Sequence, residues 1–527
     1  MTITEAIDYI NAHTWSQWKL GLSRTEELLR LLGNPQKQLR FVHVAGSNGK
    51  GSTCAMVERI LREAGFVTGF YPSPYIEDFR ERIQVCGEYI TKEALCRITA
   101  RVRDAADSME DHPSQFEIIT AIGLLYFAEK NCDIVVLEVG LGGIFDSTNV
   151  IDAPEAAVIT NIGLEHTEYL GSTLAEIAGN KCGIIKSGSD VVCYENEPEV
   201  MDVVRRVCAE KGCPLHIARY SRIQPIEKSL DGQTFRFLQE KALISEDKVS
   251  AAENSPADMA DPENDTEEPL RLALLGEYQL HNAATALTVV EALRGRGWKI
   301  PQEAVRRGLA GVQWPARFEV LSRHPLFILD GGHNPQCAEA LAESLGEYLP
   351  DREADGNLPA SGSSQVEKRE NSEDSENSED PAKEPPSGKG KQGKNVVFLM
   401  GMLADKDYRS VIDIISPFAA GFVCLTPDSP RALTAEQLAS ELRDRGFYAK
   451  PCGTASEGIS AALSLAAELG ARACGAESPE MAAGENKAEL PVLTGDASYD
   501  EALAVVSFGS LYMAGAVRSA FRALYPL

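Results

Sequence analysis

The chain has 527 residues, too many for one hydrophobic core, so we expect two domains. Its contents of 44% hydrophobic and 24% charged residues are typical of a globular protein in water. The formal net charge of −27 argues against a general nucleic-acid binder, because phosphate contacts require clustered Lys and Arg.

The N-terminal residues 1–10 lack a basic segment followed by an apolar run, so no signal peptide is expected. No stretch approaches the roughly 18 uninterrupted apolar residues of a membrane-spanning helix. The twelve cysteines are scattered singly, without CxxC pairs, which indicates reduced thiols. We therefore expect a cytoplasmic monomer that contacts neither membrane nor nucleic acid.

The first predicted elements form a strand, a loop and a helix. A β-rich run at 38–45 precedes the sequence GSNGKGST at 46–53, and residues 54–64 have helical periodicity. This order of elements indicates an α/β unit.

Strands and helices continue to alternate along the chain. A helix is predicted at 116–130, strands at 133–139 and 156–162, and helices at 278–294 and 300–309. Continuous apolar strands between helices indicate a mainly parallel sheet that is covered on both faces.

The acidity is concentrated in two segments. Residues 245–269 contain nine acidic and one basic residue, and residues 351–394 contain eleven acidic and seven basic residues. Such compositions cannot bury enough apolar surface to fold. We predict a surface insertion at 245–269, a disordered insertion at 351–394 and a milder insertion at 474–500.

The loop at 46–53 has the residues of a phosphate-binding site. Backbone amides, an ammonium and a hydroxyl meet at a helix N-terminus, which suits the β- and γ-phosphates of a nucleotide and Mg²⁺. The standard pattern requires glycine five residues before Gly49, where this chain has Val44, so the loop is a shortened variant. The residues expected to bind ATP here are Asn48, Gly49, Lys50, Gly51, Ser52 and Thr53.

The second domain is expected to begin after Trp314-Pro315, which we interpret as a hinge because proline restrains its neighbour. Its predicted strands are 326–330, 395–400, 421–426 and 504–507. The predicted fold class is α/β, with a P-loop ATPase-like domain at 1–311 that has a mainly parallel sheet. A smaller, Rossmann-like α/β domain is predicted at 312–527.

The shortened loop resembles that of the Mur-ligase superfamily, and its surroundings resemble the folylpolyglutamate synthase and dihydrofolate synthase family. The resemblance covers almost the whole chain apart from the insertions, and eight blocks match this family in chain order. They are HVAGSNGKGS at 43–52, YPSPYIEDFRERI at 71–83, LEVGLGGIFDSTN at 137–149, GLEHTEYLG at 163–171, GNKCGIIK at 179–186, HNAATAL at 281–287, WPARFE at 314–319 and DGGHNP at 330–335.

The resemblance implies an ATP-dependent amide ligase that adds L-glutamate to the γ-carboxylate of tetrahydrofolate through an acyl-phosphate, with or without dihydropteroate as a second acceptor. Three alternatives stay open. A cell-wall ligase of the same superfamily usually has a separate domain before the loop, whereas 45 residues precede it here. An inactive ATP-binding regulatory protein would not need the motif residues, and a plain phosphate-loop hydrolase does not explain the C-terminal motifs.

The resemblance also implies two Mg²⁺ sites. Mg²⁺ prefers hard oxygen ligands and usually keeps some waters. Glu138 ends an apolar strand and is expected to face the crevice where α/β sheets bind ligands. In the family this glutamate bridges two metals, and the lysine at the position of Lys181 is carbamylated, which turns an ammonium into an oxygen ligand. The expected metal-binding residues are Ser52, Ser73, Glu138, His166 and Lys181.

Structural roles for these residues remain alternatives. Glu138 can cap a helix, His166 can be a structural histidine, and Lys181 can bind phosphate or lie on a helix surface. Lys186, which lies in the same block, is a competitor for the role of Lys181.

Residues of later blocks complete the expected ATP site. By resemblance, Asn282 contacts adenine, Arg317 reaches the phosphates and Asp330 organises the same site. His333 and Asn334 follow on the same turn and are expected to face the incoming amino acid, although Gly and Pro nearby would mark a turn in any case. The residues expected to be catalytic are Lys50, Glu138, His166, Lys181 and His333.

The pteroate pocket is also assigned by resemblance. The residues expected to flank it are Phe116, Glu117, Phe145, Asp146 and Ser147. The chain departs from the family at Ile144, where arginine is usual, and at Tyr75, where histidine is usual. Loss of a cation beside an anionic substrate is expected to weaken or alter recognition of the acceptor without touching the phosphate loop.

Overall fold

The structure is a computed structural model that describes residues 1–12, 21–239, 268–349, 396–473 and 503–526. The insertions predicted at 351–394 and 474–500, and all but two residues of that at 245–269, lie outside the described residues.

A parallel-dominated sheet occupies the first half of the chain. Within the described residues it has the order β4-β3-β2-β5-β1-β6-β7-β8, and only β3 and β4 run antiparallel to their neighbours. Its strands are β1 (Phe41–Ala45), β2 (Thr68–Tyr71), β3 (Gln84–Val85), β4 (Glu88–Tyr89), β5 (Ile134–Glu138), β6 (Ala156–Ile159), β7 (Asp190–Tyr194) and β8 (Leu215–Ala218).

Helices cover both faces of this sheet. Alternate residues of β5 separate the two cores: Ile134 and Val136 join one core, and Val135 and Leu137 join the other. The helices are α1 (Ile3–Ala12), α2 (Ser23–Leu31), α3 (Lys50–Glu63), α4 (Lys92–Ala106), α5 (Gln115–Glu129), α6 (Thr167–Leu170), α7 (Leu174–Lys181), α8 (Pro198–Lys211), α9 (Glu277–Gly295) and α10 (Gln302–Gly311). Helices α9 and α10 pack against α3, which starts at the phosphate loop.

A small antiparallel sheet was not predicted from the sequence. It consists of β9 (Ile223–Ser229), β10 (Gly232–Phe237) and β11 (Leu270–Leu272), in the order β11-β10-β9. Four successive residues of β9 are exposed. The strand therefore lacks the alternation of buried and exposed residues by which a half-buried strand is predicted from sequence.

The second large sheet has the order β12-β13-β17-β14-β15-β16 among the described residues, with only β12 antiparallel. Its strands are β12 (Glu319–Arg323), β13 (Leu326–Leu329), β14 (Val396–Met400), β15 (Ala419–Cys424), β16 (Ala449–Pro451) and β17 (Ala504–Phe508). The helices around it are α11 (Pro335–Tyr348), α12 (Tyr408–Ile415), α13 (Ala435–Asp444), α14 (Ala455–Ala473) and α15 (Leu511–Leu524). Two α/β sheets, each mainly parallel, confirm the predicted fold class.

Several predicted boundaries were wrong for local reasons. Helix α3 begins at Lys50 and not at residue 54, because Gly49 adopts a left-handed conformation that starts the helix directly after it. A 3₁₀ turn at Pro35–Gln38 shortens the strand predicted at 38–45. The helix predicted from residue 300 begins at Gln302, with Pro301 as its N-cap. The strands of the two large sheets that were not predicted are β2, β3, β4, β7, β8, β12 and β16.

Within the described residues, the helices include none with the length and apolar character that a transmembrane span requires.

Candidate active site

The phosphate loop connects β1 to α3 and is closely packed. Lys50 Nζ donates to Gly46 O at 2.8 Å and to Ser47 O at 3.0 Å, so the side chain folds back over its own loop. Gly49 has a φ of 82°, and a Cβ atom there would lie 2.3 Å from Asn282 Oδ1. Glycine at this position is required both by the backbone conformation and by the approach of Asn282.

Helix α9 places two amides beside the loop. Gln279 Nε2 donates to Ser52 Oγ at 3.2 Å, and Asn282 Nδ2 donates to Gln279 Oε1 at 3.0 Å. The structure therefore links Asn282 to Ser52 through Gln279. Gln279 was missed, although its spacing of three residues from Asn282 puts both on one helix face.

Gly51, the residue after Lys50, packs against Trp314 in the segment between the two large sheets. A Cβ atom on Gly51 would lie 2.6 Å from Trp314 Cζ2, and the Trp314 ring also packs 5.7 Å from the ring of Phe70. Thr53 is fully buried in the first turn of α3. The expected hinge residue Trp314 is thus in direct contact with the phosphate loop.

Glu138 ends β5 beside the end of β1, where Val44 is its register partner. Its side chain is 3% exposed, and Oε2 accepts a hydrogen bond from Ser73 N at 2.8 Å. Burial raises the pKa of Glu138, and the positive charges of Lys50, Arg317 and Arg82 partly offset this effect. A buried carboxylate whose pKa is shifted by burial and by nearby cations is typical of functional sites.

Lys181 lies at the end of α7 and is only 2% exposed. Its Nζ donates to Gly46 O and to Glu165 Oε1, both at 2.8 Å. Burial lowers the pKa of Lys181 to about 8, against the opposing effect of Glu165. Burial alone would raise the pKa of Glu165, but the charges of Lys181 and Lys50 lower it to about 2.

Lys186 has a different environment from Lys181. Its Nζ donates to Asn149 O at 2.8 Å and also to Ile151 O. Lys181 is therefore the lysine of this block that reaches the phosphate loop. Glu165 was not singled out from the sequence, although it lies next to His166 in the matched GLEH block.

His166 has a φ of 47° and precedes α6. Burial lowers the pKa of its imidazole against the opposing charge of Glu165, and the charges of Lys406, Lys181 and Lys50 act in the same direction as burial. His166 thus lies in the same neighbourhood as Lys181 and Glu165. A neutral imidazole is the form that can bind a metal ion.

In the second domain, Asp330 organises the turn that follows β13. Its carboxylate accepts hydrogen bonds from Phe318 N at 2.8 Å and from Gly332 N at 2.7 Å. Arg317 lies beside this turn, since a Cβ atom on Gly331 would be 3.3 Å from Arg317 Nη1. Burial lowers the pKa of His333 to about 4, so its ring is neutral at pH 7.

The second domain contacts the phosphate loop through Asn48. Asn48 Nδ2 donates to Gln336 Oε1 at 2.6 Å, and Asn334 Nδ2 donates to Asn48 Oδ1 at 3.3 Å. Asn334 Oδ1 also caps α11 by accepting from Cys337 N at 2.8 Å. The Asn334 side chain is therefore engaged in structural contacts, and Gln336 is a contact that sequence reasoning missed.

Two residues expected at the pteroate pocket, Glu117 and Asp146, form hydrogen bonds or ion pairs with other residues of the chain. Glu117 accepts from Ser114 N at 2.6 Å and pairs with Arg24 Nη2 at 3.2 Å. Asp146 is buried and accepts from Leu141 N at 2.8 Å, which fixes the loop after β5.

The other expected pocket residues differ in exposure. Phe116 lies at the start of α5 and packs against Gly140, where a Cβ atom would lie 2.5 Å from Phe116 Cζ. Ser147 is buried. Phe145 is exposed, as are the two residues at which the chain departs from the family, Ile144 and Tyr75. Three apolar or aromatic side chains of these two segments are therefore exposed: Tyr75, Ile144 and Phe145.

In the described part of the chain, His, Cys, Asp and Glu side chains nowhere form a group of three that could hold a metal ion. Such a group contains only His, Cys, Asp and Glu. The metal-binding residues expected from the sequence also include Ser52, Ser73 and a modified Lys181.

A glycine-rich loop that begins a helix, a strand-end carboxylate beside it and a second α/β domain docked on the loop fit a nucleotide-dependent enzyme built from two α/β domains. Residues 44–290 match the Mur ligase middle domain. The chain is 37% identical to the dihydrofolate synthase/folylpolyglutamate synthase of Bacillus subtilis over 350 residues, which cover 64% of this chain and 76% of that protein. It is 32% identical to the folylpolyglutamate synthase of Lacticaseibacillus casei over 441 residues, or 82% and 87% of the two chains.

The fold is similar to that of Mycobacterium tuberculosis folylpolyglutamate synthase complexed with ADP and AMPPCP. The TM-score is 0.73 at 25% identity, with 98% of this chain and 99% of that chain covered. The chain belongs to the folylpolyglutamate synthase/dihydrofolate synthase family of the Mur ligase superfamily.

Proposed function

We propose that this chain is a tetrahydrofolylpolyglutamate synthase. It joins the amine of L-glutamate to the γ-carboxylate of a reduced folate through an acyl-phosphate and forms ADP and phosphate from ATP. The observation that carries this proposal is the buried carboxylate of Glu138, which lies beside a phosphate loop and near the charges of Lys50 and Arg317.

The chemistry follows from the weakness of a carboxylate as an electrophile. A carboxylate oxygen of the acceptor attacks the γ-phosphorus of ATP, and ADP leaves. Negative charge spreads over the phosphoryl oxygens in the transition state, where Lys50 and Arg317 stabilise it. The amine of glutamate then attacks the acyl carbon, loses a proton and expels phosphate.

The expected donors Ser52, Ser73 and Glu138 fit Mg²⁺, because their oxygens are hard ligands. We propose that Ser52, Ser73 and Glu138 hold one ion. When bound, the ion supplies positive charge to the transferring phosphoryl group. Glu138 accepts only one hydrogen bond among those described, from Ser73 N, so its carboxylate has capacity to bind a cation.

A second Mg²⁺ would be held by Glu138, His166 and a carbamylated Lys181. Carbamylation requires a neutral amine, and a pKa of about 8 leaves part of the Lys181 population neutral near physiological pH. The carbamate would place a negative charge beside Glu165, which accepts from the Lys181 ammonium. Glu165 must therefore turn away or take up a proton when the carbamate forms.

Contact between the domains protects the acyl-phosphate from water. The bonds of Asn48 to Gln336 and Asn334 hold the start of α11 against the phosphate loop. Exclusion of water prevents hydrolysis of a reactive intermediate. We propose that the neutral His333, on the same turn, faces the incoming amine of glutamate.

The remaining site roles are proposed on the same grounds. Asn48, Gly49, Gly51, Thr53, Asn282 and Asp330 complete the ATP site. On the acceptor side, Phe116 and Phe145 are proposed to contact the pteroate rings, and Glu117, Asp146 and Ser147 to hold the surrounding loops.

Two further proposals come from the sequence: a monomeric state, which light scattering tests, and a cytoplasmic location, which cell fractionation tests.

A second acceptor, dihydropteroate, is favoured by the bifunctional name of the Bacillus subtilis relative. The deciding experiment gives purified protein ATP, Mg²⁺ and labelled glutamate, with tetrahydrofolate, dihydropteroate or a nucleotide-linked cell-wall precursor as acceptor. Labelled product with tetrahydrofolate supports the proposal, and product with dihydropteroate as well supports bifunctionality. Product only with the cell-wall precursor, or ATP hydrolysis without ligation, overturns the proposal.

A further inference from the structure

Arg82 is a buried arginine whose donors are not all used. It ends a 3₁₀ turn, Phe79–Arg82, in the segment between β2 and β3, and is 8% exposed. Its guanidinium carbon lies 5.1 Å from the ring centroid of Phe116 and 5.7 Å from that of Tyr71. Among the described residues, its Nε and Nη2 atoms are buried without a hydrogen-bond partner.

Another buried arginine of the same chain provides a comparison. Arg222 is 4% exposed and lies 3.9 Å from the ring of Phe237. Its Nε donates to Leu238 O at 2.8 Å, and its two terminal nitrogens donate to the two carboxylate oxygens of Glu291 at 2.7 and 2.6 Å. All three guanidinium nitrogens of Arg222 thus donate hydrogen bonds, whereas two of those of Arg82 have no partner among the described residues.

Burying a charged group without partners is unfavourable, because its lost hydration is not replaced. An unsatisfied buried donor in a folded protein therefore calls for an explanation, such as a ligand that completes the hydrogen bonds. A guanidinium offers parallel N–H groups that match the two oxygens of a carboxylate. Arg82 is accordingly suited to an anionic ligand with a planar, two-oxygen head group.

The position of Arg82 indicates which anion this is. Phe116, whose ring centroid lies 5.1 Å from the guanidinium carbon, is proposed to contact the pteroate rings. On its other side Arg82 lies 5.7 Å from the ring of Tyr71, which ends β2 opposite Leu137, the residue before Glu138. Arg82 therefore lies between the aromatic part of the acceptor site and the phosphoryl-transfer site.

We propose that Arg82 binds the acceptor carboxylate that is to be phosphorylated and holds it in line with ATP. This inference rests on the proposed function. Arg82 is then a specificity-determining residue, which selects acceptors with a free carboxylate at this point.

The test is a binding cycle that pairs a change in the protein with a change in the ligand. Calorimetry with a non-hydrolysable ATP analogue and Mg²⁺ measures the Kd of folate and of its γ-amide, for wild-type protein and for Arg82→Gln. The amide keeps the shape of the acid but removes its charge. We expect wild-type protein to prefer the acid by about ten-fold or more, as for a charge-assisted, forked hydrogen bond. Arg82→Gln should bind acid and amide about equally.

Two further variants separate recognition from folding. Arg82→Lys keeps the charge without the fork and should retain part of the preference for the acid. Arg222→Gln, the matched control, should lower the unfolding temperature and leave the acid-to-amide ratio unchanged. The affinity for the ATP analogue should be the same within about two-fold in all folded variants, because the phosphate loop is untouched.

An unchanged acid-to-amide ratio in folded Arg82→Gln and Arg82→Lys overturns the inference, as does a loss of ATP-analogue affinity without a change in that ratio. The latter result would assign Arg82 to the nucleotide phosphates. Ligation by wild-type protein is assayed separately. If wild-type protein ligates folate but the ratio does not depend on Arg82, only this inference fails, whereas absence of ligation is a failure of the proposed function.

Discussion

Lys50 and Lys181 donate to the same oxygen atom, Gly46 O, each at 2.8 Å. One lysine belongs to the phosphate loop and the other to the end of α7, so a single carbonyl joins two segments that are distant in sequence. A nucleotide that draws Lys50 toward its phosphates removes one of these two donors. The position of Gly46 therefore affects both the phosphate loop and the site around Lys181.

The first prediction concerns Gly46→Ala. A Cβ atom at this position would lie 1.8 Å from Thr160 Oγ1, and Thr160 Oγ1 in turn donates to Asn48 O at 2.8 Å. The loop must shift to relieve this overlap, which is expected to cost about 1–3 kcal/mol of unfolding free energy. ATP affinity, measured by calorimetry, should fall as well. Gly179→Ala is the control, since a Cβ atom there has no neighbour within 4 Å.

If Gly46→Ala binds ATP as tightly as Gly179→Ala does, the loop tolerates the methyl group. The shared carbonyl would then not be a constraint on nucleotide binding.

The second prediction compares two lysines of one motif. Lys181→Ala should lower ligation by about 100-fold or more, because the site loses the group proposed to stabilise the metal centre. ATP binding should remain, since the loop amides and Lys50 are intact. Lys186→Ala should instead lower stability by about 1–2 kcal/mol, through loss of hydrogen bonds to the carbonyls of Asn149 and Ile151. Ligation rates and ATP dissociation constants of both variants provide the measurement.

Short carboxylic acids should restore part of the activity of Lys181→Ala if the lysine acts as a carbamate, because they supply the missing oxygens. Wild-type rates in Lys181→Ala, or a larger loss of ligation in Lys186→Ala, would show that the role was assigned to the wrong lysine.

Local patterns were sufficient to predict the first strand, the phosphate loop and the presence of two α/β sheets. A buried parallel strand is a continuous apolar run, and a glycine-rich loop before a helix is a contiguous motif. The strand-end location of Glu138 could be predicted for the same reason, because β5 is apolar up to that residue.

The partners of these residues could not be predicted from local patterns. Glu165, Gln279 and Gln336 are polar residues of types that are common on solvent-exposed surfaces. Each becomes part of the site only because a distant segment packs against it: Lys181 against Glu165, Ser52 against Gln279 and Asn48 against Gln336. The spacing of Gln279 from Asn282 shows that the two share a helix face, but no spacing in a single sequence indicates which distant residue will pack against them. The orphaned donors of Arg82 are likewise visible only in the folded protein.

A third prediction concerns pH and His281, which precedes the proposed adenine contact Asn282. The imidazole stacks on the ring of Tyr220 with centroids 3.7 Å apart, and Tyr194 Oη lies 2.7 Å from its Nδ1. Burial lowers the pKa of His281 from 6.5 to about 4. The unfolded chain therefore binds the proton more tightly, and the stability contribution present above pH 6.5 is lost as the pH falls toward 4.

His281→Phe keeps a ring for stacking but removes the titration. Between pH 7 and pH 5, wild-type protein should lose on the order of 1 kcal/mol more unfolding free energy than His281→Phe. Urea unfolding at the two pH values measures this difference. Equal losses in both proteins would mean that the ring titrates in the same way whether the chain is folded or unfolded.

The fourth prediction concerns residues 351–394, which lie outside the described residues. Their composition cannot bury enough apolar surface to offset an ordering entropy of about 1–2 kcal/mol per residue. Replacement of this segment by a short Gly-Ser linker should leave the ligation rate within a few-fold of the parent. A folded variant without any ligation activity would show that the segment takes part in the reaction.

The last prediction concerns Glu138→Gln, which keeps the shape of the side chain and removes its charge. ATP binding draws on many contacts, including the loop amides, Lys50 and Asn282. Stabilisation of the transferring phosphoryl group draws mainly on the charges around Glu138. The ligation rate should therefore fall by about 100-fold or more, while the dissociation constant of ATP changes much less. Calorimetry and phosphate release in the presence of folate and glutamate give the two values.

Glu58→Gln is the matched control for this change. Glu58 is also a buried carboxylate with a raised pKa, caused by burial, but it lies on α3 and accepts from Thr68 Oγ1 at 2.7 Å. Its substitution should change stability and leave turnover close to that of the parent, because this carboxylate lies among structural partners. Near-normal turnover of Glu138→Gln, or equal losses in the two variants, would reduce Glu138 to a structural residue at the end of β5. The proposal that Glu138 holds metal ions beside the phosphate loop would then be wrong.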